Sequence, residues 1–118
     1  MQATSKTSGL IPTLNDVTLL EAKQVRMDES ARVIENGIDG PVPGTLLARC
    51  SQEMRALVQD ADLIISKGGG NFDSLDEEEV VASKICFMLL SKCVPYREHF
   101  GTELTHPILS VPSPWLDD

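Results

Sequence analysis

The segment that most constrains this chain is Ala61-Asp62-Leu63-Ile64-Ile65-Ser66-Lys67-Gly68-Gly69-Gly70-Asn71-Phe72, an apolar, β-branched run ending in a lysine, three glycines and an asparagine. Leu63-Ile64-Ile65 reads as a buried strand of an α/β sheet. In such sheets ligands bind outside the carboxyl ends of the strands, where Lys67 and the glycines fall. Glycines let backbone N–H groups approach an anion closely, and Lys67 adds a positive charge. A flexible strand-to-helix turn with an exposed lysine accounts for the same residues, because the segment matches neither the P-loop nor the dinucleotide fingerprint.

The elements around this segment alternate. Leu10 to Leu14 is a short strand, placed at an edge or a strand start by Pro12. Thr18-x-x-Glu21 has the spacing of a capping box, which predicts a helix from Leu19 to about Met27. Arg32 to Asn36 is a second strand, ended by Gly37, and Ile38 to Gly44 is loop. Thr45 heads the clearest helix, with Leu46, Leu47, Cys50, Met54, Leu57 and Val58 on one apolar stripe. Ser74 and Glu77 have the spacing to cap a helix within the acidic run Asp73 to Ala82. Lys84 to Leu90 reads as a strand, Val94 to Phe100 as a helical turn ended by Gly101, and Pro107 to Val111 as a last strand. Strands alternating with helices predict an α/β domain with a largely parallel sheet covered on both faces.

The chain's 118 residues suffice for one domain with a real core. Its net charge of −8 argues against nucleic acid or an anionic membrane as the main partner. It leaves a phosphorylated substrate open, since a local basic spot or a bound metal outweighs the global field. Cys50, Cys86 and Cys93 form no close pair, so neither a zinc site nor a disulfide framework is indicated, which fits a reducing cytoplasm. No run is long and apolar enough for a membrane helix. Met1 to Gly9 has no apolar signal core and reads as a short disordered leader.

Two further places could bear chemistry. Asp16, between a strand and a capped helix, opens on the same sheet edge as Lys67 in this architecture. A carboxylate there can bind a hard metal ion or act in acid–base chemistry, with Asn15 adding a carbonyl oxygen or a hydrogen bond; turn and capping, the commoner role for such residues before a helix, is the simpler account. Gly44 and Thr45 end a loop at an expected helix start, where unpaired N–H groups favour anions; a rigid connector is the simpler account for Pro41 and Pro43, and both accounts stay open for Gly44 and Thr45. Asp60 and Asp62 sit at the amino end of the strand and read as solvated caps. His99 and His106 lack metal-ligand spacing. Trp115 reads as a packing anchor or a tail residue.

Three pieces in order, Leu14-Asn15-Asp16-Val17-Thr18, Asn36-Gly37 with Pro43-Gly44-Thr45, and Ile65-Ser66-Lys67-Gly68-Gly69-Gly70-Asn71-Phe72, together resemble the C-terminal half of the damage-control phosphatase family, formerly a protein family of unknown function. The resemblance runs from about Leu10 to Val111, with 112–118 left as a tail. It implies a three-layer α/β/α fold with a mostly parallel, Rossmann-like sheet, of which this chain is a fragment. It also implies metal-dependent hydrolysis of small phosphorylated metabolites such as sugar phosphates or damaged cofactor intermediates, using Mn, Co, Ni or Mg. By the resemblance Asp16 matches the later aspartate of a metal site built on an Asp-Asn pair. Lys67 matches the phosphate-binding lysine, and Gly68, Gly69, Gly70 and Asn71 match the loop around it. Gly69 stands where the family usually has glutamine or another larger residue.

The family's Asp-Asn pair lies upstream of Asn15, and the fourteen residues before Asn15 contain neither residue. The expectation is therefore a C-terminal fragment, a truncated reading frame or one part of a split protein, inactive alone. A partner supplying the missing half, or self-association over uncovered sheet edges, would complete it. The rival expectation is a non-catalytic α/β binding or assembly module.

Overall fold

The computed structural model describes residues 17–40 and 42–112, and the backbone of 2–5. The chain divides into two compact units, Met1–Val58 and Gln59–Asp118. The expected strand from Leu10 to Leu14, the pair Asn15-Asp16, Pro41 and the tail from 113 lie outside the described residues.

In the first unit, strand β1 (Gln2–Ser5) pairs in parallel with β2 (Arg32–Glu35), in the register Gln2↔Arg32 to Ser5↔Glu35. A strand thus stands within the stretch expected to be a disordered leader. The open edge of β2 offers that short polar segment backbone partners that its own sequence does not advertise. Helix α1 (Leu19–Gln24) opens on the predicted capping box. The Glu21 N–H donates to Thr18 Oγ1 (3.3 Å) and the Thr18 N–H to Glu21 Oε2 (2.8 Å). The helix ends at Gln24, before a residue with left-handed backbone, Arg26, and a short 3-10 turn over Met27–Glu29.

The helix expected from Thr45 is two pieces. A 3-10 turn covers Leu47–Arg49, Cys50 is extended, and helix α2 runs over Gln52–Asp60. The break has a tertiary cause. Ser51 donates its N–H to the carbonyl of buried Asn36 (2.9 Å), and its Oγ then accepts from the Met54 N–H (3.1 Å), so Ser51 caps α2. Asn36 is itself held by its Oδ1, which accepts from the Ile38 N–H (3.0 Å). The predicted apolar stripe survives the break: Leu47, Cys50, Met54 and Val58 are all buried.

The second unit is built on a three-stranded sheet ordered β3 (Ile64–Lys67), β4 (Ile85–Leu90), β5 (Pro107–Ser110). β3 and β4 are parallel; β4 and β5 are antiparallel. Helix α3 (Gly69–Leu75) connects β3 towards β4, and helix α4 (Val94–Phe100) connects β4 to β5. One sheet face carries Ile85, Phe87 and Leu89, all buried, with Phe72 and Leu75 of α3 also buried. Phe72 is the centre of an aromatic cluster, its ring 5.0 Å from Phe87, 5.1 Å from Phe100 and 5.9 Å from Tyr96.

The run Leu63-Ile64-Ile65 is not buried on both faces as expected. Leu63 and Ile65 are 55% and 63% exposed. Strand alternation sends Ile64 and Ser66 to the face of Ile85 and Phe87, while Ile65 joins Met88, Leu90 and Leu109 on the other face, and all four are exposed. Among the described residues no helix is long and apolar enough to cross a membrane.

Candidate functional site

Because β3 and β4 run in parallel, their carboxyl ends open on one edge of the sheet. Lys67 is the last residue of β3, in register with Met88 of β4. The next residue keeps the loop on that edge: the Gly68 N–H donates to the Met88 carbonyl (2.9 Å). At the end of β4 the Lys92 N–H donates to the Leu90 carbonyl (2.8 Å), a tight turn that holds Lys92 at the strand end. Between these two ends lies a cleft of about 320 Å³, lined by Lys67, Gly68, Gly69, Met88, Leu89, Leu90, Lys92, Pro107 and Ile108. Two lysines and the loop glycines line it beside otherwise apolar residues, inside a chain whose net charge is −8. Such a cleft suits a small anion carrying an apolar or neutral body.

The loop has a defined shape. Gly68 has φ +97° and ψ 155°, a region that only glycine occupies without strain. It precedes α3, which begins at Gly69, five residues earlier than the expected cap at Ser74. Ser74 instead lies inside the helix, where its Oγ donates back to the Gly70 carbonyl (2.9 Å). Asn71 donates its Nδ2 to the Lys67 carbonyl (2.8 Å), closing the loop on itself. From α4, the Tyr96 hydroxyl reaches the Gly69 carbonyl (2.9 Å) and Asp73 Oδ1 (2.8 Å). Desolvation, then the hydrogen bond and negative charge of Asp73, push the Tyr96 phenol well above its ordinary range.

The structure therefore brings Lys67, Gly68 and Gly69 together in one cleft, with Gly70 and Asn71 continuing the same loop into α3. Gly44 and Thr45 belong to the first unit, where both are buried. The helix start that would make them an anion site is absent, since the 3-10 turn begins at Leu47 with no side-chain cap. Asp16 lies outside the described residues. Among the described residues no group of three or more His, Cys, Asp or Glu is arranged to hold a metal ion. Two residues of the cleft region escaped the sequence reading. Lys92 follows the carboxyl end of β4, and only the pairing of β4 with β3 brings it to the cleft. Tyr96 carried no signal, since its contact with Gly69 spans 27 residues.

Residues 10–107 match the damage-control phosphatase ARMT1-like domain. An uncharacterised protein of Methanocaldococcus jannaschii is 41% identical over 99 residues, covering 83% of this chain and 32% of that protein. A damage-control phosphatase of Pyrococcus horikoshii is 35% identical over 82 residues, covering 70% of this chain and 27% of the other. One of Archaeoglobus fulgidus is 27% identical over 100 residues, covering 85% and 34%. The crystal structure of a DUF89 family protein from Pyrococcus horikoshii matches 90% of this chain and 35% of that one, with a TM-score of 0.76 and 28% identity. The chain spans about a third of the length of the curated relatives it matches.

Proposed function

The chain belongs to the damage-control phosphatase ARMT1-like domain family, and from that premise we propose that it carries the phosphate-binding part of a phosphatase for small phosphorylated metabolites. The observation that carries this reading is the cleft at the carboxyl edge of β3 and β4, where Lys67, Lys92 and the Gly68-Gly69 backbone converge. A phosphomonoester seated there has its dianion met by the two ammonium groups. Its organic part lies against Met88, Leu90, Pro107 and Ile108. As the phosphoryl group transfers to water, the two lysines stabilise the charge spread over its equatorial oxygens. Gly70 and Asn71 act by fixing the loop. Gly44 and Thr45 have no part in this reading, for want of the helix start.

A divalent metal ion belongs to the same proposal through Asp16, which the family resemblance casts as its ligand. The described residues do not by themselves form a metal site. The test is hydrolysis of p-nitrophenyl phosphate by the purified chain with Mn²⁺, Co²⁺, Ni²⁺ or Mg²⁺, with inorganic phosphate followed in parallel by amide chemical shifts. Phosphate-induced shifts that are lost on Lys67→Ala and on Lys92→Ala are the expected result, and metal-dependent turnover lost on Asp16→Ala as well would extend the proposal to the whole reaction. Phosphate-induced shifts at Gly68 and Gly69 without turnover would support the binding half alone. A folded chain showing neither would overturn the proposal and return the chain to the reading as a non-catalytic α/β module.

A further inference from the structure

A run of three glycines is the most mobile backbone a chain can offer, so the shape of the Lys67–Gly70 loop needs restraints from elsewhere. Two come from the neighbouring strand β4 and from α3, the Gly68 N–H on the Met88 carbonyl and the Asn71 amide on the Lys67 carbonyl. The third comes from α4. We propose that Tyr96 is a positioning residue for the cleft: its hydroxyl, set between the Gly69 carbonyl and the Asp73 carboxylate, holds the glycine loop in the shape that presents Lys67 and Gly69 to a bound phosphate.

Three observations support this role. First, the ring of Tyr96 is itself anchored, 5.9 Å from Phe72 and 6.4 Å from Phe100, so the hydroxyl is delivered from a fixed base. Second, glycine and tyrosine fit each other sterically. A Cβ on Gly69 would stand 2.7 Å from the Tyr96 hydroxyl and 2.9 Å from its ring carbon Cε2, so the tyrosine occupies the room that a side chain would need. Third, the one hydroxyl proton faces two acceptors, both within 3 Å. The neutral phenol is favoured by desolvation and by Asp73, which keeps the group a donor through and beyond neutral pH. The link between α4 and the cleft therefore holds under any condition in which the site would work.

This inference rests on the phosphate reading, and its experiment separates the two. The full chain and its Tyr96→Phe variant, which keeps the ring and loses the hydroxyl, are titrated with inorganic phosphate by amide chemical shifts. Amide hydrogen exchange is measured in the same samples. The expected result is a phosphate affinity about three- to ten-fold weaker, the scale of one lost hydrogen bond. Exchange at the Gly68 and Phe72 amides, which donate to the Met88 and Gly68 carbonyls, should quicken while the β4 amides keep their wild-type protection, a pattern that general destabilisation would not give. Asp73→Ala, at an exposed residue, serves if Tyr96→Phe does not fold: it leaves the one hydroxyl proton to the Gly69 carbonyl, so the same amides should exchange more slowly, and quicker exchange would count against the role. In addition, Gly69→Ala should cost less phosphate affinity in the Tyr96→Phe background than alone, because the nearest clashing atom is gone. Unchanged affinity and unchanged loop exchange in Tyr96→Phe would overturn the positioning role and leave the phosphate reading standing. A wild-type chain that shows no phosphate shifts would overturn both.

Discussion

Gly68 and Gly101 both lie in the second unit, both have positive φ, and neither has an atom within 4 Å of where a Cβ would stand. Replacing each with alanine therefore isolates backbone strain from packing. Gly101 closes α4 with φ +61° and ψ +36°, the left-handed region that other residues enter at a cost of about 1–2 kcal/mol. Gly68, at φ +97° and ψ 155°, sits in a region that is essentially glycine's alone, with a cost of about 1–3 kcal/mol. Each substitution recovers about 0.4–1 kcal/mol by narrowing the unfolded chain. The net expectation is a loss of about 1–2 kcal/mol for Gly68→Ala and about half that for Gly101→Ala. With a urea slope of about 2 kcal/mol per molar, the Gly68→Ala midpoint falls by about 0.5–1 M, which circular dichroism resolves. If the loop instead relaxes its torsions, part of the stability is spared and phosphate affinity falls, because Gly68 lines the cleft. A Gly68→Ala chain with an unmoved midpoint and wild-type phosphate binding would refute the argument that this backbone shape is required.

Other substitutions probe the packing and charge around the same loop. Phe72→Ala removes the centre of the aromatic cluster and should cost about 3–5 kcal/mol in a urea melt, against which a loss below about 1 kcal/mol would deny Phe72 that role. Ser66 Oγ is buried with no hydrogen-bond partner among the described residues. Ser66→Ala should therefore leave stability unchanged or raise it by about 1 kcal/mol, and a clear loss would reveal a partner for that hydroxyl. Tyr96 is the chain's one tyrosine, so phenolate absorbance reports it alone. In the folded chain absorbance should not rise near pH 10, whereas in urea it should rise at about pH 10. Because the folded phenol is the harder one to ionise, its contribution to stability is complete below the unfolded value and is lost as pH climbs above about 10. A urea midpoint that rises over that range would contradict the assignment.

Features written in a few neighbouring residues were legible in the sequence. The Thr18–Glu21 capping box, the β4 strand and the end of α4 at Gly101 all depend on local spacing, and the structure has all three. Lys67, Gly68 and Gly69 were legible too, because strand-then-glycine order places them at a carboxyl edge whatever the rest of the sheet does. The helix from Thr45 was misread because its apolar stripe is continuous through Cys50. Only the bond from the Ser51 N–H to the Asn36 carbonyl, fifteen residues away, explains why the backbone opens there. The start of α3 was misread for the opposite reason. Glycines oppose a helix by propensity, yet packing of Phe72 on Phe87 and Phe100 overrides that preference and winds the turn from Gly69.

The same distinction explains the error at Leu63-Ile64-Ile65. A run of apolar residues shows that a strand is suited to burial on both faces; it does not say what supplies the second cover. In this chain α3 serves the face of Ile85, Phe87 and Leu89, while Ile65, Met88, Leu90 and Leu109 stand exposed on the other. The cleft draws Met88 and Leu90 from that exposed face and Lys67 and Lys92 from the strand ends beside it. Lys92 and Tyr96 join the site through strand register and through a contact between α3 and α4, two relations that no local pattern encodes. What the sequence could name was the loop; what it could not name was the pair of residues that the fold brings to it.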